Sequence, residues 1–258
     1  MADERHQILI VEDDSAVRRL LRTMLEDEGY AVIEAQGERD ALARLASHDV
    51  SLITLDLGLG RDNGLVLAQR IRARSVVPII IVSGKGSDVD RIVGLEIGAD
   101  DYISKPFNVR EVLARVRAVM RRTASAVRTG DDFAARQAFQ FDGWTCDVAA
   151  RRLTRPDGTD VKLTSREFSL LTAFLRRPQR VLSRHQLMDF LGDDDADTLE
   201  RAIDTIVGRL RRKLKTTDAS PIETVRGSGY MFTVKVKSVE ADGVPQSTSL
   251  AEPNARGT

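Results

Sequence analysis

Four stretches of this 258-residue chain place reactive side chains at the ends of apolar runs. Ile8-Leu9-Ile10-Val11 stops at Glu12-Asp13, and Leu52-Ile53-Thr54-Leu55 stops at Asp56. Ile79-Ile80-Ile81-Val82 stops at Ser83, and Tyr102-Ile103-Ser104 stops at Lys105. Taken singly, an Asp after a strand is more often a turn former or a helix cap than a reactive group. Gathered together, three carboxylates would raise one another's pKa unless a cation lay among them. Ligands that are all oxygen suit a hard divalent ion, which points to Mg²⁺. Three acids, an ammonium and a hydroxyl are what phosphoryl transfer requires: a nucleophile, a metal, and donors for the transferred oxygens. The competing reading is a set of separate, solvated strand ends.

The elements that would have to gather these groups can be read from the same half of the chain. Ser15 opens a helix with Val17, Leu20, Leu21, Met24 and Leu25 on one face, closed by Gly29. A strand over 30–33 and a helix over 38–46 follow, then the strand ending at Asp56 and a helix over 64–73. A fourth strand spans 78–83, a fourth helix 89–97, a fifth strand 102–105, and a last helix runs through Arg122. Five strands alternating with five helices predict an α/β doubly wound five-stranded parallel sheet, with its strands' carboxyl ends on one rim.

Composition narrows the classes. No basic start leads into an apolar segment, and no apolar run approaches eighteen residues, so neither a signal peptide nor a membrane span is expected. One cysteine, Cys146, rules out an internal disulfide framework and suits a reducing, cytoplasmic setting. Net charge is zero, but residues 1–123 carry −2 and residues 136–238 carry +5. A polyanionic partner would therefore meet the second half.

Glu12-Asp13, Asp56, Ser83, Lys105-Pro106-Phe107 and the run from Gly94 to Tyr102 resemble a response-regulator receiver domain, which is flavodoxin-like, over about residues 6–122. The resemblance implies that Asp56 accepts a phosphoryl group from a sensor histidine kinase. Asp13, Asp56 and the backbone carbonyl of Gly58 would hold Mg²⁺, with Glu12 assisting. Lys105 would neutralise the phosphoryl oxygens, Ser83 would move to bond one of them, and Tyr102 would follow inward. Beyond catalysing its own phosphorylation and dephosphorylation, no enzymatic turnover is implied. Arg91, Asp100, Asp101, Glu111, Arg115 and Arg122 have the signs of an OmpR/PhoB homodimer face on the last two helices and fifth strand. There, Arg91 to Glu111 and Asp101 to Arg115 are the expected intersubunit pairs. The loop after Asp56 departs from relatives, with Gly58 where a bulky residue is usual, Gly60 where Pro is usual, and Asn63 where Asp is common.

The second half begins after a linker expected over 123–138, which follows a receiver over 1–122. Residues 139–163 alternate strand-like pieces with turns at Asp142-Gly143 and Asp157-Gly158. Thr164-Ser165-Arg166-Glu167 and Ser183-Arg184-His185-Gln186 are capping boxes that open two helices. From Leu199 to Lys215, Ile203, Ile206, Val207, Leu210 and Leu214 make one apolar face, with Arg201, Thr205, Gly208, Arg209 and Arg212 on the other. Alone this is an ordinary amphipathic helix. Ile222 to Phe232 then read as two strands around Gly227-Ser228-Gly229, and a basic hairpin beside a basic helix is the plan of a winged helix.

Residues 139–237 resemble the OmpR/PhoB effector, a winged helix-turn-helix α+β domain. That resemblance implies sequence-specific binding to direct-repeat half-sites in double-stranded DNA. Thr205 and Arg209 would face bases, with Arg201, Arg211 and Thr224 on phosphates, Arg226 in the wing touching the minor groove or backbone, and Arg212 a further DNA-binding residue. RNA polymerase is a further implied partner. Residues 238–258 read as a disordered tail. Two other readings compete: a receiver-type regulator that works without phosphate, and an aspartate-based phosphatase. The phosphatase needs a second acid just after the nucleophile, and Leu57-Gly58 supplies none.

Overall fold

The computed structural model describes residues 6–84, 94, 97–124, 137–191, 196–215 and 220–240. The first part alternates β1 (Gln7–Val11), α1 (Ser15–Asp27), β2 (Ala31–Ala35), α2 (Glu38–Ser47), β3 (Val50–Leu55) and α3 (Gly64–Arg72). It continues through β4 (Ile79–Ser83), β5 (Asp101–Ser104) and α4 (Val109–Ala124). Gly94 and Ile97 are helical, while the rest of the helix expected over 89–97 lies outside the described residues.

The strands are parallel in the order β2-β1-β3-β4-β5. Their apolar runs are continuous because both faces are buried. Leu9, Val11, Ile53, Leu55, Ile79 and Ile81 belong to one core with residues of α2 and α3. Ile8, Ile10, Leu52, Ile80, Val82 and Ile103 belong to the other, with residues of α1 and α4. Strand order reverses between β1 and β3, and that switch point opens the crevice at their carboxyl ends where doubly wound sheets place ligands.

Local capping fixes the chain on leaving this rim. Asp14 accepts from the amides of Ala16 at 2.7 Å and Val17 at 3.2 Å, so α1 starts directly after the acidic pair. Asn63 caps α3 through Leu65 N–H at 3.0 Å. Asp62 reaches across to accept from Glu38 N–H at 2.7 Å, tying the loop after β3 to the start of α2.

The second part contains β6 (Gln137–Phe141), β7 (Trp144–Asp147), β8 (Arg152–Thr154), β9 (Asp160–Val161) and α5 (Ser165–Leu175). After these come β10 (Val181–Leu182), α6 (Arg184–Asp189), α7 (Ala196–Leu214), β11 (Ile222–Val225), β12 (Gly229–Phe232) and β13 (Lys237–Glu240). Both capping boxes form: Thr164 with Glu167, and Ser183 with Gln186. A three-stranded sheet, β10-β12-β11, carries the hairpin, and the other sheet runs β13-β6-β7-β8-β9.

Two boundaries differ from the sequence expectation. Ser238–Glu240, expected to begin a disordered tail, instead form with Lys237 a strand antiparallel to β6, with Ser238 opposite Phe139 and Glu240 opposite Gln137. The ends of the expected linker belong to α4 and β6, and its residues 125–136 lie outside the described residues, as do 241–258.

The two parts meet along α5, in which every residue except Ser169 is buried. Arg166 donates its Nε–H to the backbone carbonyl of Asp100 at 2.7 Å.

Candidate phosphoacceptor site and nucleic-acid interface

Register places the acids. Val11 and Leu55 are partners on adjacent strands, so Glu12-Asp13 and Asp56 leave the sheet at the same level. The Asp56 amide donates to the Val11 carbonyl at 2.9 Å. One strand further on, the Lys105 amide donates to the Ser83 carbonyl at 2.8 Å, which holds Lys105 at the same rim. Its Nζ then reaches back across β4 to Asp56 Oδ2 and to Glu12 Oε2, at 2.7 Å each. The other Asp56 oxygen, Oδ1, accepts from Gly58 N–H at 3.0 Å. Gly64 allows this packing, because a Cβ there would stand 2.3 Å from the Asp56 carbonyl oxygen.

The electrostatics divide the acids. Burial would raise Asp56, but the Gly58 amide and the Lys105 ammonium outweigh it and hold its pKa below the usual carboxylate value. Burial pushes Glu12 up, neighbouring Asp56 adds to that, and Lys105 offsets only part of it. Burial would lower Lys105, yet its two carboxylate partners win and hold its pKa above the ordinary one. Of Glu12 and Asp56, the group better placed as a nucleophile is the one whose charged form its surroundings favour.

Glu12, Asp13 and Asp56 can each offer an oxygen within 4.8 Å of the other two. Three carboxylates against one ammonium leave surplus negative charge, and all donors are hard oxygens, so the set fits Mg²⁺. The Gly58 carbonyl accepts from Gly60 N–H at 2.9 Å and keeps a second lone pair. Ser83 is buried on the same rim. Tyr102 is only 3% exposed, so the ring expected to move inward lies inside already, against Gly94. One contributor was not anticipated from the sequence. Arg18, a turn into α1, donates to the carbonyls of Glu12 at 2.8 Å and Asp13 at 3.2 Å, fixing the backbone beneath the acids.

In the second half, Ile203, Ile206, Val207, Leu210 and Leu214 are buried, so α7 presents its other face outward. Arg212, Thr224 and Arg226 are exposed, and Thr205 and Arg209 are half-buried. The side chain of Arg201 lies outside the described residues. A Cβ at Gly208 would meet nothing within 4 Å, so the missing side chain leaves open space on the outward face. Arg211 is engaged with the wing: its Nη2 donates to Thr224 Oγ1 at 2.8 Å and its Nε to the Ile222 carbonyl at 2.9 Å. Asp204, an acid on the basic helix, accepts from Tyr230 OH at 2.7 Å and from Arg184 Nε at 2.8 Å, joining α7, the wing and α6. Nothing in the sequence pattern singles out these three residues for that role.

Residues 8–117 match the family described as "Response regulator receiver domain", and residues 158–232 match "Transcriptional regulatory protein, C terminal". The regulatory protein VirG of Agrobacterium tumefaciens is 41% identical over 89% of this chain and 86% of its own length. The transcriptional regulatory protein AruR of Pseudomonas aeruginosa is 43% identical over 88% of this chain and 96% of its own. The solved structure of a point mutant of RitR superposes with a TM-score of 0.66 at 26% identity, covering 88% of this chain and 99% of that one.

The chain belongs to the OmpR/PhoB family of response regulators. It joins a receiver to a winged-helix DNA-binding effector and is a transcriptional regulator of the two-component type. No helix among the described residues is long and apolar enough to cross a membrane.

The face expected to dimerise in this response regulator is largely engaged within the single chain. Asp101, expected to pair with Arg115 across a two-fold axis, meets Arg115 Nη1 of its own chain at 3.0 Å. Glu111 meets the same guanidinium at 3.1 Å, one helical turn away. Asp100 is fully buried, bound to Arg72 Nη2 at 2.7 Å and to the Ile79 amide at 3.0 Å. Arg91 and the side chain of Arg122 lie outside the described residues.

Proposed function

We propose that Asp56 takes a phosphoryl group from the phosphohistidine of a sensor kinase, and that the acyl phosphate favours a homodimer bound to direct-repeat duplex DNA. The observation that carries this is the Lys105 ammonium bridging Asp56 and Glu12 while the Gly58 amide holds the second Asp56 oxygen. An Asp56 oxygen forms the new O–P bond as the N–P bond breaks, and the departing imidazole takes a proton. Mg²⁺, held by Asp13, Asp56 and the Gly58 carbonyl with Glu12 assisting, would neutralise the transferred oxygens.

Once Asp56 is phosphorylated its carboxyl group is part of a mixed anhydride and no longer carries the carboxylate charge, so Lys105 follows the charge to the phosphoryl oxygens and the Ser83 hydroxyl supplies a further donor. This is a population shift toward the state that offers those bonds. In the effector, Arg209 and Thr205 read bases, while Arg212, Thr224 and Arg226 meet the backbone and Arg211 supports the wing. The setting is the cytoplasm, with RNA polymerase as the machinery acted upon.

Labelling with acetyl phosphate tests the site. Wild type is expected to form an aspartyl phosphate that requires Mg²⁺, and Asp56→Ala to form none. Equal labelling of the two proteins would sink the assignment.

A further inference from the structure

Helix α2 begins without a cap of its own. Gly37 stands at its N-cap position and has no side chain to accept from the first-turn amides. The bond comes from the loop after β3, where Asp62 accepts from Glu38 N–H at 2.7 Å, across 24 residues of sequence. Gly37 makes room for it, since a Cβ there would stand 2.7 Å from Asp62 Oδ2. An amide left over at the helix start is thus satisfied by a residue whose own neighbours have other work.

That loop carries the Gly58 carbonyl, the backbone ligand of the metal set. Its inner side is fixed by Leu57 and Leu59, both buried, and by the Gly64 amide on the Leu57 carbonyl at 3.3 Å. Its outer corner, Gly60 to Asp62, is exposed. There the Gly60 amide donates to the Gly58 carbonyl and the Asp62 amide to the Leu59 carbonyl, at 2.9 Å each, so the corner and the ligand move together. Gly60, at φ +56°, also lies beside the acids: a Cβ on it would stand 3.2 Å from Asp13 Oδ2. Gly58 and Gly60 give this backbone many other conformations to occupy. Asp62 ties the exposed corner to a separate element.

We propose that Asp62 is a positioning residue for the cation: its bond to the start of α2 keeps the loop bearing the Gly58 carbonyl in one conformation before the ion arrives. It acts as the supporting bonds behind metal ligands do, by limiting what the ligand can do when the site is empty, so that less freedom is lost on binding. The role demands an acceptor atom, which Asn supplies as Asp does. The argument rests on the reading of Asp13, Asp56 and Gly58 as metal-binding residues with Glu12 assisting.

Mn²⁺, a paramagnetic stand-in for Mg²⁺, is titrated into the full-length protein and the free ion read by electron paramagnetic resonance, with no phosphoryl donor present. Asp62→Ala is expected to bind it about tenfold more weakly, and Asp62→Asn close to wild type. A second variant, Asp62→Ala with Gly37→Asp, moves the carboxylate to α2's own N-cap at unchanged net charge. It restores the cap but not the tie, so its unfolding midpoint is expected to recover while its affinity stays low. Recovery of affinity there would reduce Asp62 to a helix cap and overturn the proposal. In acetyl phosphate labelling, Asp62→Ala is expected to raise the half-saturating Mg²⁺ by the same factor and to keep the rate at saturating Mg²⁺. A lower saturated rate with unchanged half-saturation would also overturn it. Failure of the metal-site reading looks different: Asp13→Ala would then bind Mn²⁺ as wild type does, which removes the proposal with it. If Asp13→Ala abolishes binding and Asp62→Ala leaves it unchanged, the positioning role alone is overturned.

Discussion

Gly58 leaves one side of the phosphoacceptor uncovered. A Cβ there would stand 3.8 Å from both Asp56 carboxylate oxygens, an ordinary contact distance, so a side chain would lie over the acid without displacing it. Gly58→Met is therefore expected to shield the acyl phosphate from water and lengthen its hydrolysis half-life severalfold, measured by loss of label at fixed Mg²⁺. An unchanged half-life would refute the shielding argument. The companion change suggested by relatives, Pro at position 60, is not available, because Gly60 adopts φ +56° and Pro is fixed at about −65°. The loop is also tied down by Asp62 on the α2 amide, so openness here means a missing side chain rather than a slack backbone. Cys146 is inert for a different reason. It is wholly buried, and burial pushes its thiol up to about 12. Since the thiolate is the nucleophile, iodoacetamide at about pH 8 should leave the folded protein unmodified and label it only after denaturation. The raised value also sets a sign. The unfolded thiol ionises near its ordinary 9.0 while the folded one keeps its proton, so this group costs stability as pH climbs from there toward about 12.

At the scale of elements, α7 and the wing act as one unit, because Arg211 holds the Ile222 carbonyl and Thr224, and Asp204 holds Tyr230. This separates two arginines that look alike in the sequence. Arg209→Ala is expected to cost about 1 to 3 kcal/mol of discrimination between selected and random duplexes. Arg211→Ala should instead weaken both duplexes by a similar factor and lower the unfolding midpoint, since it loosens the wing rather than a base contact. The reverse pattern in parallel titrations would exchange their roles. Strands, helix starts and capping boxes were legible because their causes are local: an apolar run, a side chain three residues from its amide, a Gly-rich turn. The acidic rim was legible because parallel strands in this topology bring their carboxyl ends together. The intrachain Asp101–Arg115 pair was not, because the sequence gives charge signs but not which of two copies a guanidinium faces. Strand β13 was missed for a related reason: its residues are mostly polar, and what orders it is an edge strand far back in the chain, at Gln137–Phe141.

At the scale of the whole molecule, a zero net charge conceals an acidic receiver and a basic effector. Arg166 of the effector and Arg72 of the receiver both bond to Asp100, so polar contacts stand at the centre of the junction. Such contacts specify an orientation while remaining separable.

The pairing of β13 with β6 has a mechanical side. Gln137 and Glu240 are opposite one another, so the chain enters and leaves the effector at adjacent points. Tension between the receiver and anything held beyond Glu240 would load the rungs of this ladder one at a time, from Glu240 opposite Gln137 to Lys237 opposite Gln140, as a zip is opened. A pull of that kind must peel away a four-residue strand before tension reaches β12 and the wing.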